Sequence, residues 1–327
     1  MSQIFHIQKN IQNLIKRAQI IQAVRNFFVS QEFLEIDAPA LIKNPGQEPY
    51  LDVMEVAVKD ERSNNNDFFL HTSPEYTMKK VLGSGIKKTF CLGHVYRNSE
   101  SFGGLHNPEF TMVEWYRADY DFVTLMNDCE ELINHLCTTI TGVNKFTKIK
   151  RVHMRDLFKQ KLNIDLDKYL TRDGMEILCN KYGYNVDEND QFEDLFFKVF
   201  LNEIESELGS EPIIVHHYPR QMAALAKVSD VDDLYAERFE LYINGIEIAN
   251  AFSELCNPKE QKNRFLQEQQ LRKNLKKEVH AIDTELLEAL NNINSAAGIA
   301  LGVDRLVMVL LGCKDINDVL VLPISKQ

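Results

Sequence analysis

Between Phe110 and Tyr116 the sequence sets an aromatic ring, a carboxylate and a phenol at even spacing, four and then two residues apart. On a strand, alternation puts Phe110, Met112, Glu114 and Tyr116 on one face and Thr111, Val113, Trp115 and Arg117 on the other. The first face suits a groove in which a flat base stacks at one end and a cation sits at the other. A half-exposed strand with one stray glutamate is the plainer alternative.

A second pair of carboxylates lies in Phe239 to Leu255, which reads as a hairpin turning at Asn244-Gly245. A two-residue turn pairs Ile243 with Ile246 and Tyr242 with Glu247, leaving Glu240 diagonal to Glu247 on the same face. Carboxylates about 7 Å apart repel unless a cation lies between them, and Mg²⁺ carrying nucleotide phosphates is a natural occupant. Strict alternation would put Asn250, Phe252 and Glu254 on the face opposite Glu247. A bulge near Ala249 to Ala251 is therefore predicted if both sets line one pocket.

The run Gly298-Ile-Ala-Leu-Gly-Val-Asp-Arg305 passes from small residues into an apolar helix beginning near Asp304. Backbone could approach a ligand there, and an arginine could meet phosphate; a structural aspartate cap explains the run almost as well. Gly83-Ser-Gly-Ile-Lys-Lys88 lacks the spacing of a phosphate loop and falls where a helix should end, so it is set aside.

The elements around these residues follow from periodicity. Apolar residues from Ile11 to Phe28 recur at helical spacing, and Phe33 to Asp37 reads as a strand leading to Pro39. Asp60 to Asp67 reads as an exposed loop. Thr72 and Ser73 before Pro74 and Glu75 mark a helix start, with its end near Gly83 or Gly85. Strands over Thr89 to Arg97 and Phe110 to Asp119 flank a loop holding Gly103 and Gly104, and Phe122 to Ile140 is an amphipathic helix. Thr147 to Leu208 reads as a charged helical insertion. A strand over Ile213 to Tyr218 and a helix after Pro258 complete an α+β domain, an antiparallel sheet flanked by helices, spanning 1–327.

Composition narrows the function classes. With 327 residues and 44% hydrophobic content the chain can bury a full core, and no run approaches the roughly 18 apolar residues of a membrane span. A cytoplasmic protein is expected. Its six cysteines include no close pair, so buried reduced thiols are expected rather than zinc or redox chemistry. A formal charge of -11 argues against a broad nucleic-acid footprint, and the basic run Arg272, Lys273, Lys276 and Lys277 reads as a solvated helix face.

Taken together, Phe33 to Pro39, Tyr96-Arg-Asn98 with His106 to Tyr116, and Gly302-Val-Asp-Arg305 resemble motifs 1, 2 and 3 of class II aminoacyl-tRNA synthetases. Thr72-Ser-Pro-Glu75, Arg238-Phe-Glu240, Glu247-Ile-Ala-Asn250 and Phe252-Ser-Glu-Leu255 resemble the lysyl-tRNA synthetase core in order and spacing. The resemblance covers nearly the whole chain. That family carries an anticodon-binding barrel ahead of motif 1, for which this sequence has no room. It is similar instead to the elongation factor P (R)-β-lysine ligase family, paralogues that modify a protein lysine. Ala300 stands where the lysyl-tRNA synthetase pattern has glycine, and a methyl there can exclude an α-amino group while accepting a β-amino one, a difference of about 1 to 3 kcal/mol.

The resemblance implies ATP, Mg²⁺, (R)-β-lysine or lysine as substrate, elongation factor P as acceptor, a homodimer through motif 1, and no role for tRNA or membrane. It implies that Arg97 holds the α-phosphate and carboxylate and that His106 reaches the distal phosphates. Phe110 and Arg305 would sandwich the adenine, with Asn98, Asn107, Leu241 and Gly302 completing the nucleotide site. Glu240 and Glu247 would hold the metal. Ser73, Pro74, Glu75, Glu114, Tyr116, Glu247, Asn250, Phe252, Glu254 and Ala300 would surround a dication whose affinity falls at acid pH. Ser99 is inserted before Glu100, which takes the adenine-reading role, and Ala251 replaces a glycine. A stand-alone α-lysine activator and a catalytically silent regulatory paralogue are the alternatives, although the arginines and metal carboxylates that a silent paralogue would lose are present.

Overall fold

Ser2 caps the first helix through a hydrogen bond from the Phe5 amide, and α1 (Gln3–Ser30) runs eight residues ahead of the start predicted from Ile11. Its stripe Ile20, Ala23, Val24, Phe27 and Phe28 is buried, whereas Ile11 and Ile15 are each 48% exposed. The computed structural model describes residues 2–141 and 148–327.

The next strands are β1 (Leu34–Glu35), β2 (Leu41–Ile42), β3 (Met54–Lys59) and β4 (Asn65–Leu70), so motif 1 contributes a shorter strand than Phe33 to Asp37. The loop expected over Asp60 to Asp67 ends at Asn64. The Asp60 carboxylate accepts the amides of Arg62 and Asn64, closing a hairpin that lets β4 begin earlier. Helix α2 (Glu75–Gly83) follows Ser73, whose Oγ accepts the Glu75 amide at 3.0 Å. Strands β5 (Lys88–Tyr96) and β6 (Glu109–Ala118) pair antiparallel, and α3 (Phe122–Thr141) packs on their apolar side.

From residue 148 onward come β7 (Lys150–His153), α4 (Met154–Leu162), α5 (Arg172–Lys181) and α6 (Phe192–Glu203). Thr147, the first residue of the expected insertion, lies outside the described residues. The chain continues through β8 (Ile213–His216), β9 (Arg238–Ile243), β10 (Ile246–Ser253), α7 (Pro258–Asn274), α8 (Thr284–Leu290), β11 (Ala296–Gly302) and α9 (Val303–Leu311).

Eight strands form one sheet in the order β1-β5-β6-β11-β10-β9-β8-β7, and β2, β4 and β3 form a small second sheet. The six central strands are antiparallel, as the hairpin pattern predicts, but β1 and β7 join the two edges in parallel. Two apolar layers meet the sheet. One gathers α1, α3 and α9 over Trp115, Leu241 and Leu301; the other gathers α4, α5 and α6 over Ile213, Val215 and Tyr242.

The basic run is not a solvated face at its first position. Arg272 is buried and donates to the carbonyls of Glu48, Leu51 and Glu278, clamping the loop that carries Glu48. Cys91, Cys129 and Cys179 are buried thiols.

Candidate active site

The sheet register lines up side chains in rows across four strands. One row runs Glu114, Ala300, Asn250, Glu240, and the next runs Tyr116, Gly298, Phe252, Arg238. These rows require the two faces of β10 to exchange partway along, and they do. Tyr242 pairs with Glu247 but Leu241 pairs with Ala249, so the bulge falls at Ile248, just before the predicted stretch. Ile248 and Ala249 both turn into the core beneath β9, and Glu247, Asn250 and Phe252 share the opposite face. Asn244 (φ 54°) and Gly245 (φ 68°) form the tight turn that sets this register.

A cavity of about 170 Å³ sits on these rows, lined by Glu48, Ser73, Glu75, Arg97, Glu114, Tyr116, Arg238, Asn250, Phe252, Gly298 and Ala300 among others. A larger groove of about 1010 Å³ at the outer end of β10 shares only Glu254 with the predicted site. The small cavity is the one that collects the chemistry.

The end that carries the residues expected to surround the amino acid is closed and interlocked. Glu114 accepts hydrogen bonds from Ser73 Oγ at 2.5 Å and Tyr116 OH at 2.7 Å, and burial, then the charge of Glu75, pushes its carboxyl up to about 8. Glu254 is likewise pushed up by burial against the pull of Lys79, whose Nζ lies 2.6 Å from Glu254 Oε2 and 2.6 Å from Glu75 Oε1. Gly298 faces this cluster. A Cβ there would lie 2.3 Å from both Glu254 Oε1 and Tyr116 Cε1, so only glycine fits. Pro74 is buried beneath the cavity rather than lining it.

The opposite end is built from loops. Arg97 follows β5, its guanidinium lies 5.2 Å from the Phe110 ring, and its Nε has no hydrogen-bond partner. Burial lowers its proton affinity against the nearby charges of Glu247, Glu100 and Glu48. Arg305 donates to the carbonyls of Leu105 and Glu247. The inserted Ser99 takes a left-handed turn (φ 60°), its amide held by Asn98 Oδ1. Glu100 pairs with His106 Nδ1 at 2.7 Å, so the residue expected to read adenine is bonded to the residue expected to reach the phosphates. Gly103 (φ 112°) and Gly104 (φ 65°) make the turn that brings His106 back to them.

Four motif residues have partners or places in the fold that bear on their expected roles. Asn107 donates to the Glu109 carbonyl and accepts the Ile324 amide, so both ends of its amide serve the fold rather than a nucleotide. The Leu241 side chain points into the core, as its place in the register demands. Asp304 does not cap α9. Its carboxylate accepts the Thr111 amide and pairs with Arg17 at 2.6 Å, tying α1 and β6 to the helix that bears Arg305. Gly302 caps that helix, and a Cβ there would meet no protein atom nearer than 3.9 Å, so no neighbour within the fold demands glycine.

The metal pair is uneven. Glu240 accepts hydrogen bonds from Tyr218 and Tyr242 on Oε2 and pairs with Arg238 on Oε1, which leaves it little to offer a cation. Burial, followed by the charge of Glu240, raises the proton affinity of Glu247, whose nearest partner is Arg305 at 3.5 Å. No cluster of three metal-ligating side chains occurs among the described residues. Glu247 fits a Mg²⁺ held mainly by phosphate oxygens, and Glu240 fits only as a support.

The family model for tRNA synthetases class II (D, K and N) matches residues 4–326. The chain belongs to this family. Among its class II relatives, it is 35% identical over 318 residues to "Elongation factor P--(R)-beta-lysine ligase" of Haemophilus influenzae (strain PittGG), covering 95% of this chain and 94% of that protein. It is 36% identical to the protein of that name from Actinobacillus succinogenes, covering 97% and 96%. The Photorhabdus laumondii protein of that name is 35% identical over the same shares. Within this class II site, sequence reasoning overlooked Lys79 and Glu48, and it named Gly298 and Arg238 only as parts of motifs. The spacing of Lys79 four residues after Glu75 on an otherwise apolar helix face was the available signal.

Proposed function

We propose that this chain is an ATP-dependent ligase that activates (R)-β-lysine and transfers it to the ε-amine of a lysine on elongation factor P. The substrate carboxylate attacks the α-phosphorus of ATP, the bond to pyrophosphate breaks, and an acyl-adenylate forms. The acceptor amine then attacks the acyl carbon, AMP leaves, and the amine proton passes to solvent. The observation that carries this reading is the buried Glu114, with its two hydroxyl donors, standing beside Glu75 in a cavity bordered by Arg97, with Glu254 Oε1 set against Gly298 of its wall. Such a cavity suits a molecule with two ammonium groups and one carboxylate.

In this reading Glu114, Tyr116 and Glu254 take one ammonium and Glu75 the other, while Arg97 orients the carboxylate against the phosphate. Phe110 stacks on adenine, with Arg305 as the second cation. Mg²⁺, when bound, neutralises phosphate charge, and Glu247 is the side chain placed to hold it. The acceptor assignment rests on the name of the relatives. The charge of -11 supports a protein rather than tRNA as acceptor. Exposed Ile4, Phe5, Ile11 and Ile15 on α1 and Leu34 on β1 support a homodimer through motif 1. No helix among the described residues is long and apolar enough to cross a membrane, and we place the protein in the cytoplasm.

Pyrophosphate exchange with (R)-β-lysine and with α-lysine, followed by acyl transfer to purified elongation factor P, tests this function. Strong preference for α-lysine, or activation without transfer, overturns it. Ala300 lies in the row between Glu114 and Asn250. Ala300→Gly therefore shifts preference toward α-lysine by about 5- to 150-fold, corresponding to ~1 to 3 kcal/mol; an unchanged ratio removes the methyl from the account.

A further inference from the structure

The amino-acid end of the site already holds an ammonium group of its own. Lys79, on the second turn of α2, has a side chain 2% exposed and ends 2.6 Å from Glu75 Oε1 and 2.6 Å from Glu254 Oε2. Glu75 belongs to the same helix, but Glu254 follows β10, so this one nitrogen ties the helix to the sheet. Phe252 lies 5.6 Å beneath it and completes an aromatic wall. A buried lysine is costly unless it is paired. Burial pulls its proton affinity down, but the charges of Glu254 and Glu75 more than reverse that, and Lys79 stays charged.

We propose that Lys79 is a positioning residue that determines which diamine the site accepts, by spending one oxygen of Glu75 and one of Glu254 on itself. This deepens the ligase reading and rests on it. Because both oxygens touch one nitrogen, they lie within about twice 2.6 Å of each other, and the two carboxylates cannot drift apart or turn independently. Glu254 Oε1 is left over. It is buried, has no hydrogen-bond partner, and points at the face of Gly298 where only glycine leaves room. The substrate ammonium nearest Glu114 and Tyr116 is therefore met by a single, fixed oxygen of Glu254, and the other ammonium by the remaining oxygen of Glu75.

Charge counting agrees. Within the cluster around Lys79, three carboxylates, Glu75, Glu114 and Glu254, less the built-in ammonium, leave two negative charges for the two ammonium groups of a diamino acid; the fourth carboxylate of the cavity wall, Glu48, lies in the field of Arg97, which is left to face the substrate carboxylate. Removing Lys79 would leave three like charges in one buried site. These would hold protons more tightly, and the spacing between the two ammonium positions would no longer be set.

The test is pyrophosphate exchange by full-length Lys79→Met with (R)-β-lysine, α-lysine and ATP each varied, since a KM does not depend on how much of the preparation is folded. The expected result is a KM for (R)-β-lysine raised at least tenfold, a KM for ATP within twofold of the parent, and a preference between the two diamines reduced at least threefold. The acid limb of kcat/KM for the amino acid should move up by about one pH unit, as expected when a nearby positive charge is lost. An unchanged amino-acid KM, an ATP KM raised equally, or an unmoved acid limb overturns the proposal. Should Lys79→Met prove insoluble, Lys79→Ala prepared with ethylammonium carries the test. Saturable recovery of the amino-acid KM supports the role, and absence of recovery overturns it. If the parent enzyme activates neither diamine, the ligase reading itself fails; if it activates (R)-β-lysine and Lys79 variants match it, only the role of Lys79 fails.

Discussion

The two ends of the cavity are built on different principles. At the amino-acid end, Glu114, Tyr116, Gly298 and Phe252 sit in adjacent rows of the sheet, and Ser73 and Lys79 lock their carboxylate neighbours at 2.5 to 2.6 Å. At the end proposed for the nucleotide, Arg97, Glu100 and His106 stand on a loop shaped by Ser99, Gly103 and Gly104, and Glu100 and His106 are bonded to each other in a half-exposed pair. Rigid sheet rows give the precision needed to tell one diamine from another. A loop tolerates the adjustments that binding and releasing a polyphosphate demand.

The sharpest way to break this comparison is Glu114→Gln. Neutralising the buried carboxylate should lower kcat/KM for the amino acid about 100-fold or more, the ~3 kcal/mol cost of leaving a buried ammonium unpaired, with the KM for ATP within twofold in pyrophosphate exchange. Equal loss toward both substrates would mean that the ends are not separate. Gly298→Ala comes next. Its Cβ must displace Tyr116 or Glu254, so amino-acid KM should rise about tenfold, the ~1 to 3 kcal/mol of an overpacked site, while nucleotide binding measured by calorimetry stays level.

The pH dependence is of similar or smaller size. Glu114, raised to about 8, must be ionised to hold an ammonium group, so KM for the amino acid should fall as pH rises through about 8 and level off above it. The same raised group favours the folded state at low pH. Without diamine the thermal midpoint should decline as pH climbs from the ordinary carboxyl value of 4.5 to about 8 and level off above it, and adding the substrate should restore it. The smallest effect is expected from His106→Ala, where a half-exposed pair worth about 1 kcal/mol or less predicts at most a fivefold rise in KM for ATP. A hundredfold loss there would overturn the contrast.

Much of the rigid end was legible before any coordinates. The face Phe110, Met112, Glu114, Tyr116, the turn at Asn244-Gly245 and the need for a bulge follow from alternation alone, because a period of two leaves no other way to bring Glu247 and Asn250 together. What escaped depends on contacts distant in sequence. Lys79 reaches Glu254 across 175 positions, and Asn107 is held by the Ile324 amide near the other end of the chain. Asp304 looked like a cap because local spacing favours one, yet its partners Arg17 and Thr111 come from α1 and β6. Charge type was readable, but which charges were already satisfied was not, and for that reason Glu240 looked more available to a metal than it is.

The parallel edges of the main sheet bear on how this chain limits strand-to-strand addition. Eight strands offer a wide template for adding another molecule's backbone, yet the outermost strands are only two and four residues long, and β7 passes directly into a helix. A stray strand would find too few free amides and carbonyls to zip along. A cell making this protein is thereby spared the sticky intermediates that such a broad, long-range sheet would otherwise risk while it assembles.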